Sequence, residues 1–385
     1  MRIDVHKKTL KAGKACSKES IHLCDKHEKL GRPAKFVKQM NAKTPAPIIF
    51  VWIGSELPEW GPITLNFAAD NNKDREVILV TDNVNYGNQI LSENITVVRL
   101  QALELKASKL DSTSLIKGDF WRLTSQRISV LSNYARSKNM QRFFHAELDN
   151  AIFALGTLDE VLDKVGTGLF APQDNEERAI ASLVYCNHKE SIDELLEMYQ
   201  GPYNARNDMQ ALGMYAKISS NFFALPTESF RQNMNRWKII DPSITGGIFD
   251  AASIGQYCLG IDPIHCRYSP SRNRFINENC LINWDETIIS TDGEILRLHL
   301  RGEEVIGIYN IHVHSKQLRK IKALLRNERI MRRLSDGKST IVTGRSKFLT
   351  GPCLLVLHWC TGKILRILKK LDRLTKVCDA HKDLG

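Results

Sequence analysis

The chain has 385 residues, 43% of them hydrophobic, which allows one large domain or two ordinary ones with a real core. Its formal charge of +11 is unevenly spread: residues 1–43 carry 12 Lys/Arg against 4 Asp/Glu, residues 316–385 carry 18 against 5, and residues 44–315 carry 24 against 34. An acidic body between basic ends argues against a DNA-binding domain, which concentrates positive charge on its folded part, and suits a catalytic core flanked by segments that meet an anionic surface.

No run of eighteen or more residues is apolar and uncharged enough to span a bilayer. The opening Met1-Arg2-Ile3-Asp4-Val5-His6-Lys7-Lys8 has no apolar region of a secretory signal. Nine cysteines without CxxC pairing read as reduced thiols. The expected location is cytoplasmic, either free or peripheral on the inner face of a membrane. The spacings of Cys258, Cys266 and Cys280 fit no common zinc pattern.

In chain order, residues 1–44 are Lys-rich with weak periodicity and read as a basic N-terminal tail. Thr44-Pro45-Ala46-Pro47 is a stiff extended lead-in. Ile48-Ile49-Phe50-Val51-Trp52-Ile53 is a continuous apolar run ending at Gly54, which predicts a strand buried on both faces of a mostly parallel sheet. Glu76 to Asp82 predicts a second such strand, and Ile95 to Leu100 a third. Phe120, Leu123, Ile128, Leu131 and Tyr134 recur at helical intervals and predict a helix over Phe120 to Ser137. Met140 to Phe144 predicts a strand running into His145-Ala146-Glu147-Leu148-Asp149-Asn150, with a helix starting near Ala151. This alternation predicts an α/β domain over residues 45–315, built on a mostly parallel sheet flanked by helices. Ligands of such sheets sit beyond the carboxyl ends of the strands, where Gly54, Asp82 and Glu147 to Asp149 all fall.

Two acids at i and i+2, where a strand breaks into a turn, can both reach one hard divalent cation, Mn²⁺ or Mg²⁺. The competing reading makes Glu147 and Asp149 caps of the next helix.

The pieces Ile49-Phe50-Val51-Trp52-Ile53-Gly54, Trp121-Arg122-Leu123-Thr124-Ser125-Gln126-Arg127 and Glu147-Leu148-Asp149, in that order, resemble the DXD-type glycosyltransferases of the GT-A fold, of the nucleotide-sugar-dependent, bacterial-polysaccharide type. The resemblance covers residues 46–315. It implies a Rossmann-type sheet, a nucleotide-sugar donor, a glycan or lipid-linked acceptor, and Mn²⁺ or Mg²⁺ bridging the donor diphosphate as a Lewis acid. The motif here is E-x-D, so Asp149 is the expected ligand. Glu147 is either a second ligand or a contact to the ribose or a metal-bound water. The family's arginine that holds the acidic turn corresponds to Arg127, with a solvated helix face as the alternative. The family's Asp three residues before it is Thr124 here, which leaves the donor sugar undefined. Trp52 and Gly54 are expected under the nucleotide base, Gly54 permitting close backbone approach; Trp52 is otherwise core. Asp82 ends the neighbouring strand, as a donor contact or as a turn aspartate.

The family closes its metal site from the C-terminal side, and Ile308-Tyr309-Asn310-Ile311-His312-Val313-His314-Ser315-Lys316 suits that role. His312 and His314 alternate along an expected strand. His314 is the expected third ligand and Lys316 the expected contact to the diphosphate; a solvent-facing strand edge is the alternative. Asp174, in an expected loop over Phe170 to Asn175, Asn207, and Gln256, in a Gly-rich polar stretch, are candidate acceptor contacts. Asp208 opens a helix, as cap or acid. The candidate catalytic acids are Asp250, Glu278 and Asp208, the general base being Asp250 or Glu278 within reach of an acceptor hydroxyl.

Residues 316–385 form the basic C-terminal segment. Within it, Leu354 to Lys376 interleaves leucines with Lys and Arg around Trp359, as a basic amphipathic helix that lies on an anionic membrane or packs on the catalytic domain. The expected activity is therefore glycosyl transfer. The rivals are a nucleotidyltransferase and a non-catalytic membrane or nucleic-acid binder using the basic ends, although no nucleic acid is the expected partner. Neither GxxxxGK[ST] nor GxGxxG is present, which disfavours ATPases and dinucleotide enzymes.

Overall fold

The structure is a computed structural model that describes residues 44–54, 56–82, 92–100, 120–199, 202–230, 238–260, 287–291, 296–300 and 306–325. The basic tail 1–43, Glu278, and the segment 326–385 with its amphipathic stretch lie outside the described residues.

The first half alternates β1 (Ile48–Trp52), α1 (Gly61–Asn71), β2 (Val77–Thr81), β3 (Ile95–Arg99), α2 (Phe120–Ser137) and β4 (Phe143–Ala146). These strands lie side by side in the order β3-β2-β1-β4, all parallel. The apolar runs are continuous because both faces are covered. Ile48 and Phe50 enter one core with Leu65 and Ala68 of α1; Ile49 and Val51 enter the other with Leu131 and Tyr134 of α2. Each such side chain contributes about 1.5–3 kcal/mol by leaving water. Helix α2 spans the range its periodicity predicts and is followed by Asn139 in the left-handed region, φ 47°.

Past the acidic turn the chain departs from expectation. Ala151 lies in a strand, β5 (Asn150–Ile152), and the next helix, α3, is Leu158–Val165. The segment expected as a loop is strand β6 (Leu169–Asn175). With β7 (Arg178–Ala179), β8 (Leu183–Cys186) and β9 (Phe222–Leu225) it extends the sheet as β4-β8-β6-β7, antiparallel, while β9 runs parallel to β6. Helices α4 (Glu190–Glu197) and α5 (Asp208–Ile218) complete this half. The result is the expected α/β architecture with a mainly parallel central sheet flanked by helices.

A second sheet has the order β10 (Gly247–Ile248), β13 (Ile306–Ile308), β12 (Leu296–Leu300), β11 (Thr287–Thr291). The last strand, β14 (Asn310–His312), pairs antiparallel with β5, placing His312 opposite Asn150. A third core, including Phe153, Ile254, Ile311, Val313, Leu318, Ile321 and Leu324, fixes this pairing. Among the described residues no helix is long and apolar enough to cross a membrane.

Candidate metal and donor site

Strand pairing builds the site. Parallel β1 and β4 place Phe50 beside Ala146, so the turn Glu147-Leu148-Asp149 emerges next to Trp52 and Gly54. Trp52 also pairs with Thr81 at the end of β2, and the Gly54 N–H donates to both Asp82 carboxylate oxygens at 3.0 Å. From the other side, β14 continues alongside the turn, where the Val313 N–H donates to the Asp149 carbonyl at 2.8 Å. His312 Nε2 then stands 3.6 Å from Glu147 Oε2 and 3.4 Å from Asp149 Oδ2.

Glu147, Asp149 and His312 each offer one ligand atom, all within 4.8 Å of one another. The donor set fits a hard or borderline divalent ion such as Mn²⁺ or Mg²⁺. The ring orientation fits as well. His312 Nδ1–H donates to the Ala251 carbonyl at 3.1 Å, which leaves the Nε2 lone pair of the neutral ring for a metal.

Arg127, on α2, answers the acids from below. Its Nη2 donates to Glu147 Oε1 and to Asp208 Oδ2, each at 2.7 Å, and its Nε to the Thr124 carbonyl at 3.3 Å. Burial alone would raise both acidic pKa values of the turn. Arg127 instead holds Glu147 below its ordinary value, and Lys316 with His312 holds Asp149 well below. Asp208 goes the other way: burial outweighs Arg127 and raises its pKa. Lys316 is in direct ionic contact with Asp149 Oδ2 and lies 5.8 Å from the Trp60 ring centroid. Trp60 meets Trp52 edge to face at 6.1 Å, forming an aromatic wall beside the site. His145 faces away. Its ring contacts the Ile49 carbonyl at 3.0 Å, and burial depresses its pKa to about 4.

Two expectations need correction. His314 is not in the cluster; His312 takes that place. The alternation that would have put both on one face stops because β14 ends at His312, and a turn follows in which the His314 N–H donates to the His312 carbonyl at 2.9 Å. Asp250 is not open to an acceptor hydroxyl. It is fully buried and accepts from the N–H groups of Ile254, Gly255 and His312 at 3.0, 2.7 and 2.9 Å. It therefore positions β14 against the helix Ser253–Leu259. Burial raises its pKa to about 6 against the pull of His312 and these donors.

The remaining candidates are spread out. Asn207 caps α5, accepting from the Gln210 N–H at 2.8 Å. Asp208 is engaged by Arg127 beside the acidic turn. Gln256 is buried in the helix after Asp250. Asp174 is on β6, and its side chain lies outside the described residues. Trp60, Gly255 and Asn310 carry no functional signal in the sequence alone. Asn310 Nδ2 donates to Asn150 Oδ1 at 2.8 Å and its Oδ1 accepts from the Asp250 N–H at 3.2 Å, tying β14, β5 and Asp250 together. A buried Asn in a short strand carries no signal until its partner strand is known.

No family model matches the sequence, and no curated protein matches it. Solved structures with a similar fold include a cytidylyltransferase from Leptospira borgpetersenii serovar Hardjo-bovis, at 15% identity and TM-score 0.32, over 48% of this chain and 76% of that one. Mouse xyloside xylosyltransferase 1 aligns at 10% identity and TM-score 0.33, over 47% of this chain and 85% of that one. The glycosyltransferase GlyE of Streptococcus pneumoniae TIGR4 aligns at 12% identity and TM-score 0.32, over 51% of this chain and 50% of that one. Likenesses this slight carry no argument about activity, which rests on the site's own residues.

Proposed function

We propose that the chain is a metal-dependent glycosyltransferase that moves a sugar from a nucleotide-sugar donor to a glycan or lipid-linked acceptor. The observation that carries this is the convergence of Glu147, Asp149 and His312 beyond the carboxyl ends of β1 and β4. Those three residues hold the ion in this reading. When bound, Mn²⁺ or Mg²⁺ supplies Lewis-acid stabilisation of the departing diphosphate.

The chain's other residues orient and neutralise. Arg127 fixes the Glu147 carboxylate and is itself fixed by Asp208. Lys316 brings a positive charge to the donor phosphates. Trp52, Gly54 and Asp82 form the nucleotide side, with Thr124 facing the donor. With Asn207 engaged as a helix cap and Gln256 buried, Asp174 is the remaining candidate acceptor contact. With Asp250 and Asp208 engaged by protein groups, Glu278 is the remaining candidate general base. The basic C-terminal segment meets an anionic membrane.

The test is release of nucleoside diphosphate from a panel of nucleotide sugars, with and without Mn²⁺. Metal-dependent release that Asp149→Ala abolishes is expected. If Asp149→Ala binds and hydrolyses every donor as well as wild type, the metal-site assignment is wrong. Pyrophosphate release from a nucleoside triphosphate would instead mark a nucleotidyltransferase.

A further inference from the structure

Asp149 Oδ2 is approached from two sides. His312 Nε2 stands 3.4 Å from it, and the Lys316 ammonium contacts the same oxygen. Lys316 is delivered by a turn tied to the acidic loop: Val313 N–H donates to the Asp149 carbonyl and Lys316 N–H to the Val313 carbonyl, both at 2.8 Å. At the end of that turn Lys316 has φ 61°, a left-handed conformation disfavoured for any residue with a Cβ. Non-glycine residues held in this way cluster at functional sites. The backbone is therefore pinned beside Asp149, while the side chain, 37% exposed, ends in an ammonium at the end of a flexible stem.

The charges explain why a cation belongs there. Glu147 and Asp149 bring two carboxylates within 4.8 Å of one another in a confined site, where like charges repel. Arg127 answers Glu147 from α2, and among the described residues its ion pairs are with that acid and Asp208. Lys316 answers Asp149. A divalent ion held by Glu147, Asp149 and His312 would share the Asp149 carboxylate with the ammonium and stand close to it. Like charges at that distance repel, and a single carboxylate oxygen in a confined site does not serve both well.

We propose that Lys316 is a resident counter-cation of the acidic turn: its ammonium neutralises Asp149 in the metal-free protein and competes with the divalent ion for that carboxylate. This rests on the metal-dependent reading above. The role is distinct from contacting a diphosphate, because it acts on metal affinity with no donor present.

The experiment is Mn²⁺ titration of the full chain without nucleotide, followed by calorimetry and by the loss of the free-ion electron paramagnetic resonance signal. Lys316→Met keeps the stem and removes the charge; Lys316→Arg keeps the charge. The expected result is Mn²⁺ binding about two- to fivefold tighter in Lys316→Met, the range set by a partly exposed ion pair, and near wild type in Lys316→Arg. Thermal melts certify each fold, and Lys316→Gln replaces Lys316→Met should the latter not fold. Equal or weaker Mn²⁺ binding in the uncharged variant overturns the proposal and leaves the metal site standing. Absence of Mn²⁺ binding in both wild type and the uncharged variant overturns the metal reading and this proposal with it.

Discussion

His312 is held through three of its atoms. Its backbone N–H donates to Asp250, its Nδ1–H to the Ala251 carbonyl, and its Nε2 faces the two acids. Burial alone would lower its pKa, but Asp149 and Glu147 more than offset that and raise it to about 9. The sign follows. A folded pKa above the ordinary 6.5 means that the imidazolium's stabilising contribution is complete below about 6.5 and is lost as pH rises through about 9. A metal needs the neutral ring, so each ion bound below that pH expels one proton. Mn²⁺ affinity measured by calorimetry should rise about tenfold per pH unit between 6.5 and 9 and then level off. A flat profile across that range would show that no proton leaves His312 when the ion binds. Substitution separates the two histidines directly. His312→Gln should weaken Mn²⁺ binding by at least the roughly 10–100-fold that losing an outer partner of a metal ligand costs. His314→Gln should weaken it far less, because the His314 ring stands 6.3 Å from that of His312 but is not among the three clustered ligand groups.

At the scale of elements, the site depends on how closely β14 lies against the helix Ser253–Leu259. A Cβ on Gly255 would sit 1.9 Å from the His312 carbonyl oxygen. Gly255→Ala must therefore push β14 away, at about 1–3 kcal/mol of overpacking. Reduced thermal stability together with weaker Mn²⁺ binding is expected, read by a melt and a titration on the same preparation. The opposite end of the sheet is stapled separately. Asp159, on α3, accepts from the Ala46 N–H at 2.9 Å and pairs with Arg142 at 2.6 Å and Arg75 at 3.6 Å. Arg75 in turn donates to the Ala46 carbonyl at 3.0 Å. These residues sit at the amino ends of β1, β2 and β4, far along the strands from the acidic turn. Asp159→Ala removes a carboxylate shared by Arg75 and Arg142, which keep Asp74 and Asp163, and should cost about 1–3 kcal/mol in denaturant unfolding, while Mn²⁺ affinity of the folded fraction is unchanged. Altered affinity would show that the two ends of the sheet are coupled.

Elements of this kind also mark how far the residues alone could be read. β1, β2, β3 and α2 were legible because two-sided burial makes an unbroken apolar run and one-sided burial makes a helical stripe. The acidic turn was legible as the polar stop after such a run. β6 was not, because Pro172 and the polar Gln173-Asp174-Asn175 look like a loop when no neighbouring strand is known. β5 was hidden for the same reason: its partner, β14, is about 160 residues away. That one long-range pairing decides which histidine meets the acids. Local alternation favoured neither His312 nor His314; the end of the strand did. Asp250 was misread in a related way. A polar, glycine-rich stretch resembles a sugar site until its carboxylate is seen filled by three backbone N–H groups.

At the scale of the whole molecule, charge is divided between an acidic body and basic ends. The third core extends past Ser315. Leu318, Ile321 and Leu324 are buried in the third core, and Lys316 touches Asp149. A chain cut after Ser315 would lose both, so a membrane role has to be tested by a cut after Leu325. Residues 326–385 carry 14 Lys/Arg against 5 Asp/Glu. Each basic residue near an anionic surface contributes about 1 kcal/mol, within a Debye length of roughly 8 Å at physiological salt. The full chain should therefore sediment with phosphatidylserine-containing vesicles at low salt and be released at about 0.5 M salt, where screening is several times stronger. The chain ending at Leu325 should stay in the supernatant and still bind Mn²⁺ as the full chain does. Vesicle binding undiminished by the cut would move the membrane contact to another part of the protein. Lost Mn²⁺ binding would mean that residues beyond Leu325 support the site itself.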